Sequence, residues 1–597
     1  MRHIHYAIMA LAAALASTAL AADFTAPLPP VIPWHGASER LVVPPSDPWI
    51  TPAEARGFNE TPSYAETRAW LDLLDAASPL LSIESFGRTA QGRELYAVRA
   101  AKPGSQPKPV LLVQAGIHSG EIDGKDAGLM LLRDIALRGK DKLLDHADLI
   151  FVPIFNADGH ERSSPFNRPN QRGPRSQGWR TTAQNLNLNR DYLKADTPEM
   201  KAMIGLLRKY RPALYLDLHV TDGTDYQYDI TFAFPGWGGY YAHSPSIGRW
   251  LDRRYRPAVT AALARAGHIP GVYIDAADGR DPDKGIRLNP DQPRYSTGYA
   301  DLARIPSVLV ETHSLKPYRQ RVLGTYVLLE ESLRLVGADG PRIAAAIAAD
   351  RASRPRTEVL SWKPAPKPLY VIPDFKGVAF VKYKSPASGG TEVRYLGRPL
   401  TQRMPVLGQV PDKVVTLPAA WWVPATKPEV IRLLRLHGIE FETLAQPRTL
   451  SLDMVRLVGP ETKAADEGHI PLKVARFVHA PREESFPPGS VRVPSAQPLG
   501  LLAAAMLEPE SGDSLLAWNL FPEILQRTEY IEGYAIAPLA ERMLAANPSL
   551  KRAFEARLKA DPKFAANPDA RLGWFYERTP YYDERFLLYP IGRELKR

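Results

Sequence analysis

His118 and Glu121, a histidine and a glutamate three positions apart, are the first candidate pair of metal ligands in the chain. They follow the apolar run 110–113, which is typical of a buried strand, and precede a segment with helical periodicity. Gly116 and Gly120 allow a tight turn between strand and helix, so both side chains can point at one cation. Alone the pair is weak evidence, because one such spacing is expected by chance in a chain with 13 histidines.

The same spacing occurs a second time, at His437 and Glu440. Here the pair follows an apparent helix at 428–436, and Gly438 between the two residues is typical of a helix C-terminus. We therefore predict that this second pair is structural.

A third candidate ligand, His219, ends the apolar run 213–219. The carboxyl ends of strands in α/β sheets are where ligands gather. Alone, His219 would be read as a core histidine, but with His118 and Glu121 it completes a set that leaves zinc one open position, as in catalytic sites. Because the chain has no cysteine, any metal must be bound by His, Asp or Glu. We predict one zinc ion held by these three residues.

Glu311 ends another apolar run, 307–313, where an unpaired carboxylate would be costly. A buried glutamate beside a metal site can have its pKa tuned to take and return a proton. The alternative is an ion pair with an arginine such as Arg319 or Arg321, and the residues alone leave both possibilities open.

The loop 178–192 supplies further polar chemistry with Arg180, Asn189 and Arg190. Long loops in compact domains are usually functional. Two arginines, with planar and permanently charged side chains, can hold a carboxylate and stabilise an oxyanion.

The elements that must position these residues alternate between short apolar runs and helical stretches. This alternation predicts an α/β domain with a mixed, mostly parallel sheet and helices on both faces. The predicted strands are 110–113, 149–152, 214–216, 230–234 and 308–310, and the predicted helices are 122–137, 198–210, 245–266 and 320–336.

Changes in amino-acid composition and in the pattern of apolar residues along the chain predict five segments. β-Branched and aromatic runs follow the α/β pattern, and Ala, Leu and Glu dominate towards the C-terminus. The segments are a signal peptide at 1–22, a Pro-rich lead-in at 23–58, the catalytic domain at 59–350, a β-rich accessory domain at 351–500 and a helical region at 501–597.

The N-terminus has the pattern of a secretory signal, with an apolar run at 7–16 and small residues at Ala19 and Ala21. The stretch 7–22 is shorter than the roughly 20 residues that span a bilayer, which favours cleavage over a membrane anchor. We therefore predict a secreted or periplasmic bacterial protein with no membrane anchor in its mature form.

The charge distribution and the absence of cysteine exclude several classes of function for this protein. The 597 residues have a formal net charge of +10 without a block of like charges, so we do not expect a nucleic-acid partner. The absence of cysteine excludes disulfides, iron–sulfur clusters and cysteine nucleophiles.

Residues 60–335 resemble the zinc metallocarboxypeptidases of the carboxypeptidase A type. Six elements in the family's order carry the resemblance: His118-x-x-Glu121, Asn156-Ala157-Asp158-Gly159, Trp179-Arg180, Asn189-Arg190, His219 and Glu311.

The resemblance implies a peptide substrate and a role for each residue. His118, Glu121 and His219 would bind zinc, and Glu311 would act as general base and acid on a zinc-bound water. Arg180 would stabilise the oxyanion. Asn189 and Arg190 would hold the terminal carboxylate of the peptide, so that C-terminal residues are released.

The chain also departs from the family pattern. Asn187 stands where the family usually has an aspartate that holds the first zinc histidine. Either Asn187 holds this histidine more weakly, or a carboxylate from elsewhere in the chain replaces it. Arg172 and Arg175 are rivals of Arg180. Either Tyr295 or Tyr299 could be the family's substrate tyrosine, and the sequence does not choose between them.

Two other functions compete with the carboxypeptidase hypothesis. One is a related zinc amide hydrolase that acts on peptidoglycan stem peptides or acylated amino acids. The other is a binding protein with an inert catalytic fold, in which Trp421 and Trp422 recognise a polymer; tryptophan pairs are, however, more often core than platform.

Overall fold

The computed structural model describes residues 27–104 and 106–596. The predicted signal peptide at 1–22 lies outside these residues. The described chain divides into two compact units, one formed by 27–353 with 362–413 and the other by 354–361 with 414–596. No helix in the described ranges combines the length and apolar character needed to cross a membrane.

An eight-stranded mixed sheet forms the centre of the first unit, in the order β1-β2-β4-β3-β5-β10-β6-β7. Strands β4, β3, β5 and β10 run parallel, whereas β1, β2 and β6 add antiparallel pairs. The predicted fold class is confirmed. The first ten strands are β1 Leu81–Arg88, β2 Glu94–Ala100, β3 Val110–Ala115, β4 Asp148–Val152, β5 Leu214–Val220, β6 Ile230–Ala233, β7 Pro270–Val272, β8 Asp275–Ala276, β9 Ile286–Leu288 and β10 Ser307–Thr312.

Helices accompany this sheet, and most lie where the apolar periodicity predicts them. The α-helices of the first unit are Pro52–Ala55, Tyr64–Ala77, Asp123–Leu137, Ala157–Glu161, Pro198–Tyr210, Pro245–Trp250, Arg256–Arg265, Ser296–Leu302 and Tyr318–Ala352. One π-helical turn, Leu251–Tyr255, joins Pro245–Trp250 to Arg256–Arg265.

The helix Tyr318–Ala352 is much longer than the predicted 320–336 and contains Pro341. A proline in a helix interior removes one backbone hydrogen bond. Two buried carboxylates beyond the predicted end compensate through tertiary contacts: Asp339 binds Arg254 and the Trp250 indole, and Asp350 accepts the backbone N–H of Ile247 at 2.8 Å. Packing therefore extends this helix past the point where local propensity would end it.

A long hairpin, β12 Tyr370–Lys384 with β13 Thr391–Thr416, changes the predicted domain division. It follows β11, Thr357–Pro364. Strand β13 pairs in parallel with β9, with Val406 opposite Ile286, and Phe375, Met404 and Val406 are buried in the hydrophobic core of the first unit. Most of the hairpin therefore belongs to the same unit as the α/β sheet, whereas the sequence texture placed it in a separate accessory domain starting at 351.

The second unit contains a six-stranded sheet in the order β15-β18-β14-β19-β16-β17. Its strands are β14 Ala420–Val423, β15 Glu442–Thr443, β16 Arg448–Thr462, β17 Leu472–Phe486, β18 Val491–Pro494 and β19 Gly592–Glu594. Its helices are Pro428–His437, Gly500–Leu507, Gly533–Ala546, Pro548–Ala560, Pro562–Ala565 and Pro568–Tyr576. Because β19 pairs with β14 and β16, the predicted helical C-terminal region and the β-rich region form one unit.

Two features of the second unit bear on the competing functions. Trp421 and Trp422 are buried, and their indole N–H groups donate to Glu508 and Glu594, so this pair is core and offers no binding platform. Gly438 has φ 76° and ends the helix that contains His437, as the structural interpretation of that pair predicts.

Candidate metal centre

The turn that carries His118 and Glu121 leaves the carboxyl end of β3 and leads into the helix Asp123–Leu137. Gly116 has φ 70°, a left-handed conformation that glycine adopts without strain. At Gly120 a Cβ atom would lie 2.3 Å from the side chain of Arg168, so a larger residue would clash. The two glycines thus allow the chain to bend closely around the two candidate ligands.

Strands β5 and β10 lie side by side in parallel, with His219 directly opposite Glu311. Both residues come at the carboxyl ends of their strands, at the same edge of the sheet as the His118–Glu121 turn. The topology therefore brings together four residues that span nearly 200 positions of sequence.

The side chains of His118, Glu121 and His219 converge in a buried cluster, and their ligand atoms all lie within 4.8 Å of one another. Nδ1 of His118 is 3.1 Å from Glu121 Oε1, and Nδ1 of His219 is 2.9 Å from Glu121 Oε2. Two imidazole nitrogens and a carboxylate oxygen are a donor set that zinc prefers. The residues present thus fit one zinc ion.

Both histidines are held through the other ring nitrogen. His118 Nε2 lies 3.0 Å from Asn187 Oδ1, and His219 Nε2 lies 2.9 Å from Asp217 Oδ2. Partners of this kind orient metal-binding imidazoles and raise their basicity. Asn187 therefore occupies the position behind the first histidine that the family pattern gives to aspartate.

Asp217 is a candidate site residue that the sequence analysis missed. The available signal was a carboxylate within the apolar run 213–219, two residues before His219 and therefore on the same face of the strand. Burial disfavours a charged His219 ring, but the carboxylates of Asp217, Glu121 and Glu311 together raise the pKa of His219 well above its usual value. At His118, whose other ring nitrogen faces the Asn187 amide, burial lowers the pKa to about 4 although the Glu121 carboxylate opposes this shift.

We expect Asp217→Asn to weaken zinc binding by roughly 10- to 100-fold, the usual effect of losing such a partner. The amide keeps the shape of the side chain but loses the negative charge, which makes the His219 ring nitrogen a stronger ligand for zinc. Competition with a chelator at fixed pH measures the affinity. Asp229→Asn is the matched control, because it takes a buried carboxylate away from His268 outside the cavity. Equal zinc affinity in Asp217→Asn and wild type would contradict the assignment.

Two arginines contact Glu121. Arg180 Nη1 lies 3.3 Å and Arg168 Nη1 lies 2.8 Å from Glu121 Oε1. The sequence analysis missed Arg168. The two rivals of Arg180 do not line the cavity: the Arg172 guanidinium donates to backbone carbonyls, including Leu315 O at 3.0 Å, and Arg175 is mostly exposed.

Asn189 and Arg190 lie together in a short turn beside the cluster. The Asn189 Oδ1 atom accepts the Ser296 backbone N–H at 3.3 Å, and the Arg190 guanidinium lies 4.6 Å from the centre of the Tyr295 ring. Tyr295 also lines the cavity, whereas Tyr299 is buried against Tyr192. Of the two tyrosine candidates, Tyr295 is therefore the one that can reach a substrate.

All seven sequence-predicted site residues line one cavity of about 630 Å³: His118, Glu121, Arg180, Asn189, Arg190, His219 and Glu311. Glu311 is nearly buried, and its Oε2 atom has no hydrogen-bond partner in the part of the chain that the structure describes. Within that same part, the lead-in at 27–58 supplies no residue to the cavity lining. The Glu311 carboxylate is therefore available to a ligand, and the described lead-in does not occupy the cavity.

Part of the chain that carries this site is similar to a known protein family. Residues 67–235 match the model of the zinc carboxypeptidase family, peptidase M14, a range that includes every predicted site residue except Glu311.

Three similar proteins illustrate the match. A Saccharomyces cerevisiae protein described as an inactive metallocarboxypeptidase is 35% identical over 17% of this chain and 26% of its own length. Carboxypeptidase 2 of Trichophyton rubrum is 21% identical over 78% of this chain and 86% of its own. The crystal structure of a Burkholderia cenocepacia metallo-carboxypeptidase is 19% identical, with a TM-score of 0.35, over 46% of this chain and 70% of that one.

The alignment with the yeast protein thus spans only about a quarter of that protein. The family match and the buried His-Glu-His cluster lie in the same part of the first unit. Residues 67–235, which carry six of the seven predicted site residues, are therefore similar to the zinc carboxypeptidase family, peptidase M14.

Proposed function

We propose that this protein is a zinc-dependent peptidase that releases C-terminal residues from peptides. One observation carries the proposal: three candidate metal ligands, two arginines and Glu311 line one cavity, and Glu311 Oε2 has no hydrogen-bond partner among the described residues. His118, Glu121 and His219 would hold a single zinc ion. When bound there, zinc would supply Lewis acidity for water and for the scissile carbonyl.

Glu311 would move the proton. Its carboxylate takes a proton from the attacking water and returns it to the leaving amine, so the elements of water add across the C–N bond. Burial raises the pKa of Glu311 to about 8, an effect that His219 opposes and Glu121 increases. A carboxyl group with a raised pKa can act as an acid as well as a base near neutral pH.

The arginines would act on the two charges of the substrate. Arg180, which is partly exposed to the cavity, would stabilise the oxyanion that develops on the scissile carbonyl. Arg190, with Asn189 beside it, would pair with the terminal carboxylate. Such a contact would restrict cleavage to the last peptide bond.

Metal analysis combined with matched peptides tests the proposal. The purified protein is expected to carry one equivalent of zinc, to lose activity on chelation and to regain it when zinc is restored. Mass spectrometry should show loss of the last residue from free-acid peptides and little reaction with their C-terminally amidated forms. Equal cleavage of both forms would favour the amide-hydrolase alternative, and absence of metal with activity retained would refute the zinc assignment.

A further inference from the structure

The turn proposed to hold the substrate's carboxylate, Asn189 and Arg190, is hydrogen-bonded to the residue that orients the first candidate zinc ligand. The Asn189 backbone N–H donates to Asn187 Oδ1 at 2.9 Å, and the same oxygen lies 3.0 Å from His118 Nε2. One amide oxygen therefore contacts both the turn and the metal-binding ring. A displacement of Asn189 would change the contact that orients His118.

Ser296 forms a second connection, on the side of the other histidine. Its backbone N–H donates to Asn189 Oδ1 at 3.3 Å, and its hydroxyl hydrogen-bonds to the Asp217 carboxylate. Asp217 in turn lies 2.9 Å from His219 Nε2. Ser296 is 1% exposed and begins the helix Ser296–Leu302. Its burial limits the competition of water for both contacts.

These contacts close a ring of hydrogen-bonded residues through the candidate metal centre. Glu121 completes the ring, because its carboxylate lies 3.1 Å from His118 Nδ1 and 2.9 Å from His219 Nδ1. The members in order are His118, Asn187, Asn189, Ser296, Asp217, His219 and Glu121. The candidate zinc ligands thus form one side of the ring, and Asn189, a proposed carboxylate ligand, lies on the other.

The ring also sets the orientation of the Asn189 amide. Because Oδ1 accepts the Ser296 N–H, the Nδ2 end of the amide is left to donate to a substrate carboxylate. Arg190 beside it would supply the positive charge. A carboxylate bound to both residues would hold Asn189 in the orientation that the ring requires, and through Ser296 it would steady Asp217.

We propose that Ser296 is a positioning residue that couples binding of the substrate's terminal carboxylate to binding of zinc. The inference rests on the proposed function, because Asn189 and Arg190 must hold that carboxylate. Each ligand favours the same arrangement of the ring, so each raises the affinity for the other, and the two increases must be equal. The metal ligands are then held most firmly when a substrate with a free C-terminus is in place.

Zinc affinity measured with and without a simple carboxylate tests this coupling. The probe is 3-methylbutanoate, which has one carboxylate and no second metal-binding group, and 3-methylbutanamide is its uncharged counterpart. Chelator competition is expected to show that saturating 3-methylbutanoate tightens zinc binding by wild type roughly 5- to 150-fold, the usual range of coupling between two sites. The amide should have no such effect. Calorimetry of 3-methylbutanoate binding to zinc-loaded and metal-free protein should give the same factor.

Ser296→Ala removes the hydroxyl that contacts Asp217 and keeps the backbone N–H that contacts Asn189. The coupling factor should fall roughly 2- to 30-fold in this variant, as it does for substitutions between coupled sites. Attraction through space between zinc and the carboxylate persists, so the part that is lost measures the hydrogen-bonded path. Ser332→Ala is the matched control, because this buried hydroxyl donates to Leu328 O at 2.7 Å and does not line the cavity. It should keep the wild-type factor.

A wild-type measurement decides the case in which Ser296→Ala fails to fold: no effect of 3-methylbutanoate on zinc affinity would overturn the coupling. The wild-type factor in Ser296→Ala would overturn the role of Ser296. Full coupling in Arg190→Ala would also overturn it, because the probe would then be a zinc ligand itself. In each case, cleavage of free-acid but not amidated peptides would still support the proposed function. Equal cleavage of both would refute that function and this inference with it.

Discussion

Glu311→Gln is expected to lose roughly 10²- to 10⁴-fold in turnover while still binding zinc. The amide keeps the size of the side chain but cannot accept and return the proton. The carboxylate of Glu311 belongs to β10 and is not one of the three converging ligands, so zinc affinity should change little. Steady-state kinetics together with metal analysis of the same preparation provide both readouts.

Glu199→Gln is the matched control for this substitution. Glu199 is also buried and its pKa is also raised by burial, but it does not line the cavity, so turnover should stay at the wild-type level. Loss of zinc in Glu311→Gln would make Glu311 a ligand. Wild-type turnover in that variant would refute the proposed proton transfer.

Stability of the metal-free protein gives an independent check on the environment of Glu311. Because its pKa is raised on folding to about 8, the folded state holds this proton over a pH range in which the unfolded state has lost it. The free energy of unfolding therefore falls as pH rises from about 4 to 8. Metal-free Glu311→Gln lacks this penalty, so its Tm should exceed that of metal-free wild type at pH 8, and the difference should shrink towards pH 5. An unchanged difference across this range would contradict the raised pKa.

Arg190→Ala is expected to lower kcat/KM on free-acid peptides by roughly 30- to 5,000-fold. Truncating one partner of a buried, hydrogen-bonded charge pair costs about 2–5 kcal/mol, and each 1.4 kcal/mol is about tenfold. On amidated peptides the wild type should already be poor, and the substitution should add little. Kinetics on paired free-acid and amidated peptides measure the difference.

Arg175→Ala is the matched control for Arg190→Ala, because Arg175 precedes the loop 178–192, is exposed and does not line the cavity. Its kinetics should equal those of wild type on both substrate series. If Arg190→Ala lost the same factor on free-acid and amidated peptides, the arginine would not recognise the terminal carboxylate.

Local patterns of apolar residues were sufficient to predict the strands and helices around the site. Apolar runs predicted β3, β5 and β10 to within a few residues, and the helix 198–210 was predicted with its observed bounds. The glycine-flanked turn at His118 and Glu121 was equally visible. These features depend on residues close in sequence, whose periodicity reports which face is buried.

Contacts between segments distant in sequence determined the strand register, the unit to which the hairpin belongs and the partners of the site residues. The register between β5 and β10 sets His219 opposite Glu311, and the pairing of β13 with β9 assigns the hairpin to the first unit. Likewise, Asp217 serves as the partner of His219, and Tyr295 lines the cavity in place of Tyr299. The physical reason is that strand order, register and side-chain partners arise from packing between segments far apart in the chain, whereas local periodicity records only burial.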